Sequence, residues 1–430
     1  MVIFYWISWG NSMINAGSIT GSKSSGVPWK PCYAERMRGV QASEIRELLK
    51  IVEQPGMISF AGGIPDPTFF PTEQIKAAYN AILSDSTEAS KALQYSVSEG
   101  DAELRSWIAG HMRSKGILCD VEHILITNGS QQALEFLGKL FISPGDRVAV
   151  TAPTYLGALQ AFSPSQPEYA TLHISEDGSV ALEGGDTDSE DIHDALVYVV
   201  PDFANPTGET LSEVERRGIL ELAAERGMLV IEDSPYEMLR FDGIPELPLQ
   251  ALDIDGSGGI DASRVVYCGS FSKVFVPGLR VGWVCASREI ISRLTLIKQS
   301  SDLSSPAINQ RVMLHLARTI YDEQVVRACS TYRKKRDVML SLIGEVMPAD
   351  SRWTHPDGGM FIWVKLASEI DTRELLEVAA RDFGVAFVPG QAFYVNNKGR
   401  DMLRLSYTLP STDEIEIGLQ RLGKAILAMS

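Results

Sequence analysis

One segment of the chain, SFSKVFVPGLRVGW, places a single lysine among small hydroxyl residues and an arginine. Lys273 follows the apolar run VVYC, which is typical of a buried strand, so its amine is expected in the crevice at the carboxyl end of a sheet. An amine held there can form a Schiff base with a carbonyl compound. Ser270, Ser272 and Arg280 add two hydroxyl donors and a guanidinium, which suit a phosphate group. By itself, a surface lysine in a polar turn explains the motif equally well.

A Schiff-base lysine beside a phosphate site indicates pyridoxal 5′-phosphate (PLP) as the cofactor. PLP also needs a carboxylate at its pyridine nitrogen, because the protonated ring is the electron sink of its reactions. Asp233 ends the apolar run 228–231 after Glu232, where it can take this role; a turn-initiating aspartate before Ser-Pro is the alternative. Tyr236, three residues on, could bind the phenolic oxygen of the cofactor, or be an ordinary buried tyrosine.

Three further strand ends carry polar or aromatic residues. Asn205, in NPTG, could donate to the phenolic oxygen and lower the pKa of the imine, although the tetrapeptide is also a common turn. Ser130 and Gln131 stand at the start of a predicted helix, where backbone amides bind anions; simple capping by Ser130 is the alternative. Tyr155, in APTYLGA, could lie flat over the pyridine ring.

Composition narrows the class of protein. A chain of 430 residues with 45% apolar content suits two domains, or a large domain with a smaller one. The formal net charge of −16 argues against a nucleic-acid or anionic-membrane partner, since both require a basic surface. The five cysteines lack CxxC spacing, so we predict no metal site, no disulfide framework and a reducing, cytoplasmic compartment.

The hydrophobic pattern predicts an α/β protein with a subsidiary α+β domain. Residues 1–39, rich in Ser and Gly, are predicted to be a poorly ordered extension, with a start codon placed too far upstream as one hypothesis. A large domain is predicted at 72–306, and a small domain from 40–71 and 307–430. The amino-terminal part of the small domain includes a helix at 43–53.

The expected elements of the large domain are a mainly parallel sheet with helices on both faces. Strands are predicted at 124–127, 147–151, 196–200, 228–232, 265–268 and 280–285, and helices at 72–84, 100–115, 131–142 and 212–226. The last two strands are too close in sequence for a helical crossover, so one is expected to be antiparallel. For the small domain we predict helices at 307–345 and 371–383 and strands at 359–366, 384–388 and 402–406.

The chain from about Val40 to its end resembles the class I/II aminotransferases of PLP fold type I, in the branch of 2-aminoadipate and kynurenine aminotransferases. The segments that carry the resemblance appear in the order typical of the family: QASEIRELLK, SFAGGIPDPTFFP, LQYSVSEGDAELR, ITNGSQQAL, APTYLGAL, FANPTGETL, EDSPYEML, SFSKVFVPGLRVGW, DGGMFIWV and LRLSYTLPS.

The resemblance assigns roles to the residues named above. It implies that Lys273 is the Schiff-base lysine, that Asp233 pairs with the ring nitrogen and that Tyr155 stacks on the ring. It also implies that Asn205 and Tyr236 bind the phenolic oxygen. The implied phosphate ligands are Ser130, Gln131, Ser270, Ser272 and Arg280. With Lys273 and Asp233, Tyr155 completes the expected catalytic set.

The resemblance also implies a homodimer, in which Tyr95 reaches the phosphate of the neighbouring subunit. Arg404 matches the arginine that binds the substrate α-carboxylate, and a charge in the apolar strand MLRLS is costly without a partner; a structural salt bridge is the alternative. Gly63 would let a loop approach the substrate, and Asn205 would border it. Arg46 matches an arginine that can bind an acidic side chain, although a solvated helix face with local ion pairs explains it equally well.

The expected activity is amino transfer between an L-amino acid and 2-oxoglutarate, with broad specificity that includes 2-aminoadipate, aromatic and branched-chain donors. A PLP lyase or decarboxylase on the same fold is the first alternative, because these reactions share a carbanion stabilised by the cofactor. A PLP-sensing transcription regulator is the second, although the extra sequence of about 40 residues has no helix-turn-helix pattern. The residues leave the preferred amino donor open.

Overall fold

The computed structural model describes residues 33–37, 56–183, 193–367, 370–396 and 398–429. Most of the chain that the resemblance covers lies within these ranges. They include every expected large-domain strand and helix.

The predicted helix at 43–53, with Arg46, lies outside the described residues, as does nearly all of the predicted extension 1–39. Among the helices that are described, none combines the length and the apolar character that a membrane crossing would need.

An eight-stranded sheet forms the centre of the molecule. Its strands are β2 (Ile124–Thr127), β3 (Arg147–Thr151), β4 (Glu168–Ile174), β5 (Val180–Glu183), β6 (Asp194–Val199), β7 (Leu229–Asp233), β8 (Val265–Ser270) and β9 (Gly282–Cys285). They lie in the order β2-β9-β8-β7-β6-β3-β4-β5. Four of the pairings are parallel and three are antiparallel. The parallel pairings lie together in the middle, which gives strand ends from β6, β7 and β8 a common edge.

Strand β9 is antiparallel to both of its neighbours, so the antiparallel strand predicted in this region is confirmed. It begins at Gly282 rather than at residue 280, because a 3₁₀ turn, Pro277–Leu279, precedes it and Arg280 has a left-handed backbone with φ of 53°. The hairpin of β4 and β5 was not predicted from the sequence. Strand β5 is a half-exposed edge strand, and it lacks the apolar run by which the central strands were recognised.

Helices cover both faces of this sheet, as predicted. The helices between residues 72 and 301 are α1 (Thr72–Ser84), α2 (Ser86–Leu93), α3 (Ala102–Ser114), α4 (Ser130–Phe141), α5 (Leu156–Phe162), α6 (Glu213–Arg226), α7 (Leu249–Ser257) and α8 (Arg288–Ser301), of which α1 and α2 pack on each other rather than on the sheet. Alternate residues of β6 show the two layers. Leu196 and Tyr198 pack in one core cluster with α4 and α5, whereas Val197 and Val199 pack in another with α6 and α7. Both faces are therefore buried.

A second, antiparallel sheet lies in the carboxy-terminal part of the chain. Its strands are β10 (Arg352–Trp353), β11 (Phe361–Lys365), β13 (Val388–Pro389) and β14 (Met402–Ser406), in the order β10-β11-β14-β13. A short parallel pair joins β1 (Ile58–Ser59) to β12 (Val385–Ala386), so the chain from residue 58 contacts the carboxy-terminal region. The boundaries of the two domains stay a prediction.

Three helices accompany the second sheet: α9 (Ala307–Val346), α10 (Thr372–Val378) and α11 (Thr412–Met429). The 40 residues of α9 span about 60 Å, at 1.5 Å for each residue. Helix α10 continues into a π-helical turn, Ala379–Phe383, so the predicted helix at 371–383 is present with altered geometry at its end.

Candidate active site

Lys273 lies just beyond the end of β8, at the edge where the parallel strands end. Its side chain is half-buried, and its Nζ donates a hydrogen bond to the carbonyl oxygen of Gly63 at 3.1 Å. Burial, together with the nearby Arg404 and Arg280 cations, lowers the pKa of Lys273 to about 8, against the opposing effect of Asp233. The lowered pKa makes it easier for this amine to lose its proton near neutral pH, as a nucleophile must.

Asp233 is the last residue of β7, and its side chain is only 1% exposed. Tyr198 of β6 donates from its hydroxyl to Asp233 Oδ2 at 2.8 Å, whereas Oδ1 has no hydrogen-bond partner among the described residues. Burial raises the pKa of Asp233 to about 7, although the hydrogen bond from Tyr198 and the charge of Lys273 oppose this. The free oxygen is ready to accept a hydrogen bond from a ligand.

Tyr198 was not singled out in the sequence. It lies within an apolar strand, and its only signal was that a buried tyrosine hydroxyl needs a hydrogen-bond partner. Which acceptor it meets depends on the pairing of β6 with β7, and that pairing is a property of the sheet.

Asn205 and Tyr236 follow β6 and β7 and meet at this edge. The Asn205 amide donates to the Tyr236 hydroxyl at 3.4 Å, and both residues are buried. Lys273 Nζ lies 5.7 Å from the centre of the Tyr236 ring. Burial raises the pKa of the Tyr236 hydroxyl well above its usual value, so it remains a hydrogen-bond donor at all ordinary pH values. The two side chains can present donors to one oxygen atom.

Arg404, in the middle of β14, is 2% exposed. Its guanidinium donates to Asn205 Oδ1 at 2.7 Å and to the carbonyl oxygen of Ala61 at 2.6 Å, and it lies over the rings of Phe361 at 4.2 Å and Phe393 at 5.1 Å. Within the described part of the chain it makes no ion pair, and its Nε has no hydrogen-bond partner. Burial lowers its pKa to about 10, so a buried cation remains without an anion.

Ser270, Ser272 and Arg280 surround the turn after β8. The Ser270 hydroxyl donates to Ser272 Oγ at 2.9 Å and accepts from the Ser272 amide at 3.1 Å. Arg280 donates to the carbonyl oxygen of Asn128 at 3.0 Å, and no acid pairs with it among the described residues. Its guanidinium lies against Gly129, where any side chain would collide with it. This arginine is available to an external anion.

Helix α4 begins beside this arginine. Gly129 precedes it with φ of 77°, a conformation that L side chains rarely adopt, and no side chain of the described residues caps the helix. The amino-terminal amides of Ser130 and Gln131 therefore add partial positive charge at the same place. The Gln131 side chain donates to the carbonyl oxygen of Gly157 at 2.7 Å, and the absence of a Gly157 side chain makes room for the ring of Tyr155. Burial raises the pKa of Tyr155 to about 12.

Gly63 and Tyr95 lie in contrasting surroundings, since Gly63 is closely packed and Tyr95 is exposed. A side chain at Gly63 would meet the ring of Phe361 at 2.6 Å, so the loop can pass close to β11 only with glycine here. The side chain of Tyr95 is 82% exposed in the segment between α2 and α3. Arg46, as noted, lies outside the described residues.

A cavity of about 880 Å³ lies apart from this cluster. Trp107, Lys115 and Glu237 are among its lining residues, but none of the described site residues predicted from the sequence lines it. Burial lowers the pKa of Lys115 to about 7, against the charges of Asp202 and Glu232. Because side chains alternate along a strand, Glu232 points to the face of β7 opposite to the side chain at 233.

Residues 58–422 match the family model of aminotransferase class I and II. Aromatic-amino-acid aminotransferase 1 of Thermococcus litoralis is 39% identical over 400 residues, which are 92% of this chain and 94% of that protein. The chain belongs to the class I and II aminotransferases. Transamination is therefore the activity of the protein.

Two solved structures have the same fold over nearly the whole chain. The α-aminoadipate aminotransferase from Thermus thermophilus, complexed with N-(5′-phosphopyridoxyl)-L-leucine, is 36% identical, with a TM-score of 0.83 over 94% of this chain and 100% of that one. Kynurenine aminotransferase from Pyrococcus horikoshii, in complex with PMP, has 38% identity and a TM-score of 0.84 over 94% and 98%.

PLP is the cofactor of this aminotransferase. The residues at the sheet edge fit its three chemical features. Within the described ranges, a buried carboxylate oxygen without a partner suits the ring nitrogen, an arginine without an acid beside an uncapped helix suits the phosphate, and an amine of lowered pKa suits the aldehyde. When bound, the cofactor supplies the electron sink that makes the Cα–H bond of an amino acid acidic.

Proposed function

We propose that this aminotransferase exchanges the amino group between 2-oxoglutarate and a broad set of L-amino acids, namely 2-aminoadipate, aromatic and branched-chain donors. The observation that carries the proposal is a pair of buried groups near Lys273 that no described residue satisfies: Asp233 Oδ1 lacks a donor and the Arg404 cation lacks an anion. Ring nitrogen and substrate carboxylate are their natural complements.

Each residue at the edge then has a defined role. Lys273 holds the cofactor covalently and, once released, moves a proton at the substrate Cα. Asp233 keeps a proton on the ring nitrogen, and Asn205 and Tyr236 bind the phenolic oxygen. Tyr155 covers the ring. The phosphate ligands are Ser130, Gln131, Ser270, Ser272 and Arg280.

Arg404 binds the α-carboxylate of both amino and oxo acids. Its guanidinium lies over the rings of Phe361 and Phe393 and donates to Asn205, which fixes its position for a two-point contact with a carboxylate. Gly63 lies at the substrate side, where its carbonyl meets Lys273. We assign Arg46 to the side chains of acidic substrates, as the resemblance implies.

Broad specificity is supported by the relatives. One acts, by its name, on aromatic amino acids, and the Thermus enzyme named for α-aminoadipate was crystallised with a leucine conjugate of the cofactor. A side-chain pocket that accepts acidic as well as apolar groups needs a positive charge for the acidic ones, and we assign that role to Arg46.

We further propose a cytoplasmic homodimer. The exposed Tyr95 supports the assembly, because a large aromatic side chain at the surface is well suited to an interface. The free thiols Cys119, Cys268, Cys285 and Cys329 support a reducing compartment.

The decisive experiment is a half-reaction. Addition of L-2-aminoadipate, L-leucine or L-phenylalanine to the PLP form, without an oxo acid, should convert the cofactor stoichiometrically to pyridoxamine phosphate. Release of carbon dioxide or ammonia in place of that conversion would contradict the proposal. Borohydride should trap the cofactor on the wild-type protein at Lys273 and fail to do so on Lys273→Ala, while trapping at another lysine would contradict the assignment.

A further inference from the structure

An irregular loop brings two carbonyl oxygens to the site. Residues 60–66 form neither helix nor strand. Within this loop, the carbonyl oxygen of Ala61 accepts from Arg404 at 2.6 Å, and that of Gly63 accepts from Lys273 at 3.1 Å. The position of this short stretch of backbone therefore affects the two side chains that are proposed to bind substrate and cofactor.

Asp66, at the end of the loop, is almost completely buried. Its carboxylate accepts from Lys335 Nζ at 2.5 Å and from the amide and hydroxyl of Thr68 at 2.8 and 2.7 Å. Its own amide donates to the hydroxyl of Tyr332 at 3.0 Å. Both Lys335 and Tyr332 belong to α9, so the loop is fastened to this long helix by its side chain and by its backbone.

Lys335 also reaches the chain that follows Arg404. Its Nζ donates to the carbonyl oxygen of Thr408 at 2.7 Å, and the Thr408 hydroxyl donates to the carbonyl oxygen of Ile64 at 2.7 Å. One ammonium thus connects the loop, helix α9 and the segment after β14. The loop has a second, direct link to that segment through Ile64.

The buried charges of Asp66 and Lys335 stabilise each other. The two side chains are 7% and 9% exposed, for Asp66 and Lys335 respectively. Burial alone would raise the pKa of Asp66, but the hydrogen bonds from Lys335 and Thr68 outweigh it and hold the pKa below its usual value. Removal of either partner would leave an uncompensated buried charge, and the loop would have to shift until water reached that charge.

We propose that Asp66 and Lys335 are positioning residues for transamination. Their ion pair sets the place of the loop and so directs the guanidinium of Arg404 toward the substrate carboxylate. The inference rests on the carboxylate-binding role of Arg404 in the proposed function. Neither residue is among those assigned to bind substrate or cofactor, so their loss should affect carboxylate binding more than the chemical step.

The test compares variants of the holoenzyme that are folded by circular dichroism. Lys335→Met removes the cation, and Asp66→Asn is a milder change that keeps the acceptor for Thr68. Arg147→Met is the matched control, because Arg147 forms a similarly buried ion pair with Asp194 at the opposite ends of β3 and β6. The probe is 3-phenylpropanoate, a carboxylate without an amino group, titrated calorimetrically.

We expect Lys335→Met and Asp66→Asn to weaken 3-phenylpropanoate binding by at least about tenfold, and to raise KM for amino donor and 2-oxoglutarate alike. Their kcat should stay within about threefold of the wild-type value. Arg147→Met should lower the thermal stability but keep KM and kcat within about twofold of the wild-type values. A purely structural ion pair would lower Tm without this separation of KM from kcat.

Failure of the positioning role can be distinguished from failure of the proposed carboxylate-binding role of Arg404. Wild-type affinity in both Lys335→Met and Asp66→Asn, or an equal loss in the Arg147→Met control, would overturn the positioning role. Arg404→Lys, included in the same titration, tests the function on which the inference rests. Undiminished binding by Arg404→Lys would refute the carboxylate anchor itself, whatever the other variants do.

Discussion

Asp233→Asn should flatten the pH dependence of stability in the cofactor-free protein. Burial raises the pKa of Asp233 to about 7 from 3.8. A carboxyl group whose pKa is raised in the folded state binds its proton more tightly there, so its stabilising effect is complete below pH ~4 and is lost as the pH rises through about 7. Asparagine has no proton to lose and should show no such change.

The magnitude follows from the two pKa values. By linkage, this group alone should reduce the free energy of unfolding by roughly 2 to 3 kcal/mol between about pH 5 and about pH 8. Glu232, whose pKa burial also raises to about 7, is present in both proteins and cancels in the difference. Bound cofactor should remove the effect, because a protonated ring nitrogen would keep the carboxylate ionised.

Urea unfolding followed by tryptophan fluorescence at several pH values measures this difference. Tyr198→Phe provides a second check, since loss of the hydrogen bond that opposes burial should move the midpoint of the pH dependence upward by about one unit. The test is how much the difference in free energy of unfolding between wild type and Asp233→Asn changes over this pH range. A change of less than about 0.5 kcal/mol would mean that the carboxyl group is not desolvated as described, and would refute the reasoning.

Three further changes test the assigned residues. Arg404→Ala should raise KM for amino and oxo acids alike, by the equivalent of about 2 to 5 kcal/mol. If steady-state assays showed a higher KM for only one of the two substrates, another residue would have to bind the α-carboxylate. Arg46→Ala should lower kcat/KM for glutamate and 2-aminoadipate by about 2 to 4 kcal/mol and spare leucine; equal losses would assign Arg46 to the surface. A mixture of inactive Tyr95→Ala and Lys273→Ala subunits, exchanged under mild denaturant, should regain up to about a quarter of wild-type activity if each site takes its tyrosine from the partner. A mixture without any gain would contradict a shared site.

The sequence by itself determined the family and the order of the elements. Apolar runs ending in polar residues located the strand ends that carry Asp233, Asn205 and Lys273, because a buried strand must be apolar and its end need not be. The signal failed at the β4–β5 hairpin, where a half-exposed edge strand has no apolar run. It also placed the start of β9 two residues early, since nothing local announced the left-handed backbone of Arg280.

Only the tertiary structure decided which side chains meet. The contact of Tyr198 with Asp233 requires that β6 and β7 be neighbours in the sheet, and the ion pair of Asp66 with Lys335 joins residues separated by 269 positions. Neither contact follows from a local pattern, because hydrophobic periodicity specifies which face of an element is buried and not what it is buried against. Strand order and packing supply that information, and with it the charge environment of Asp233.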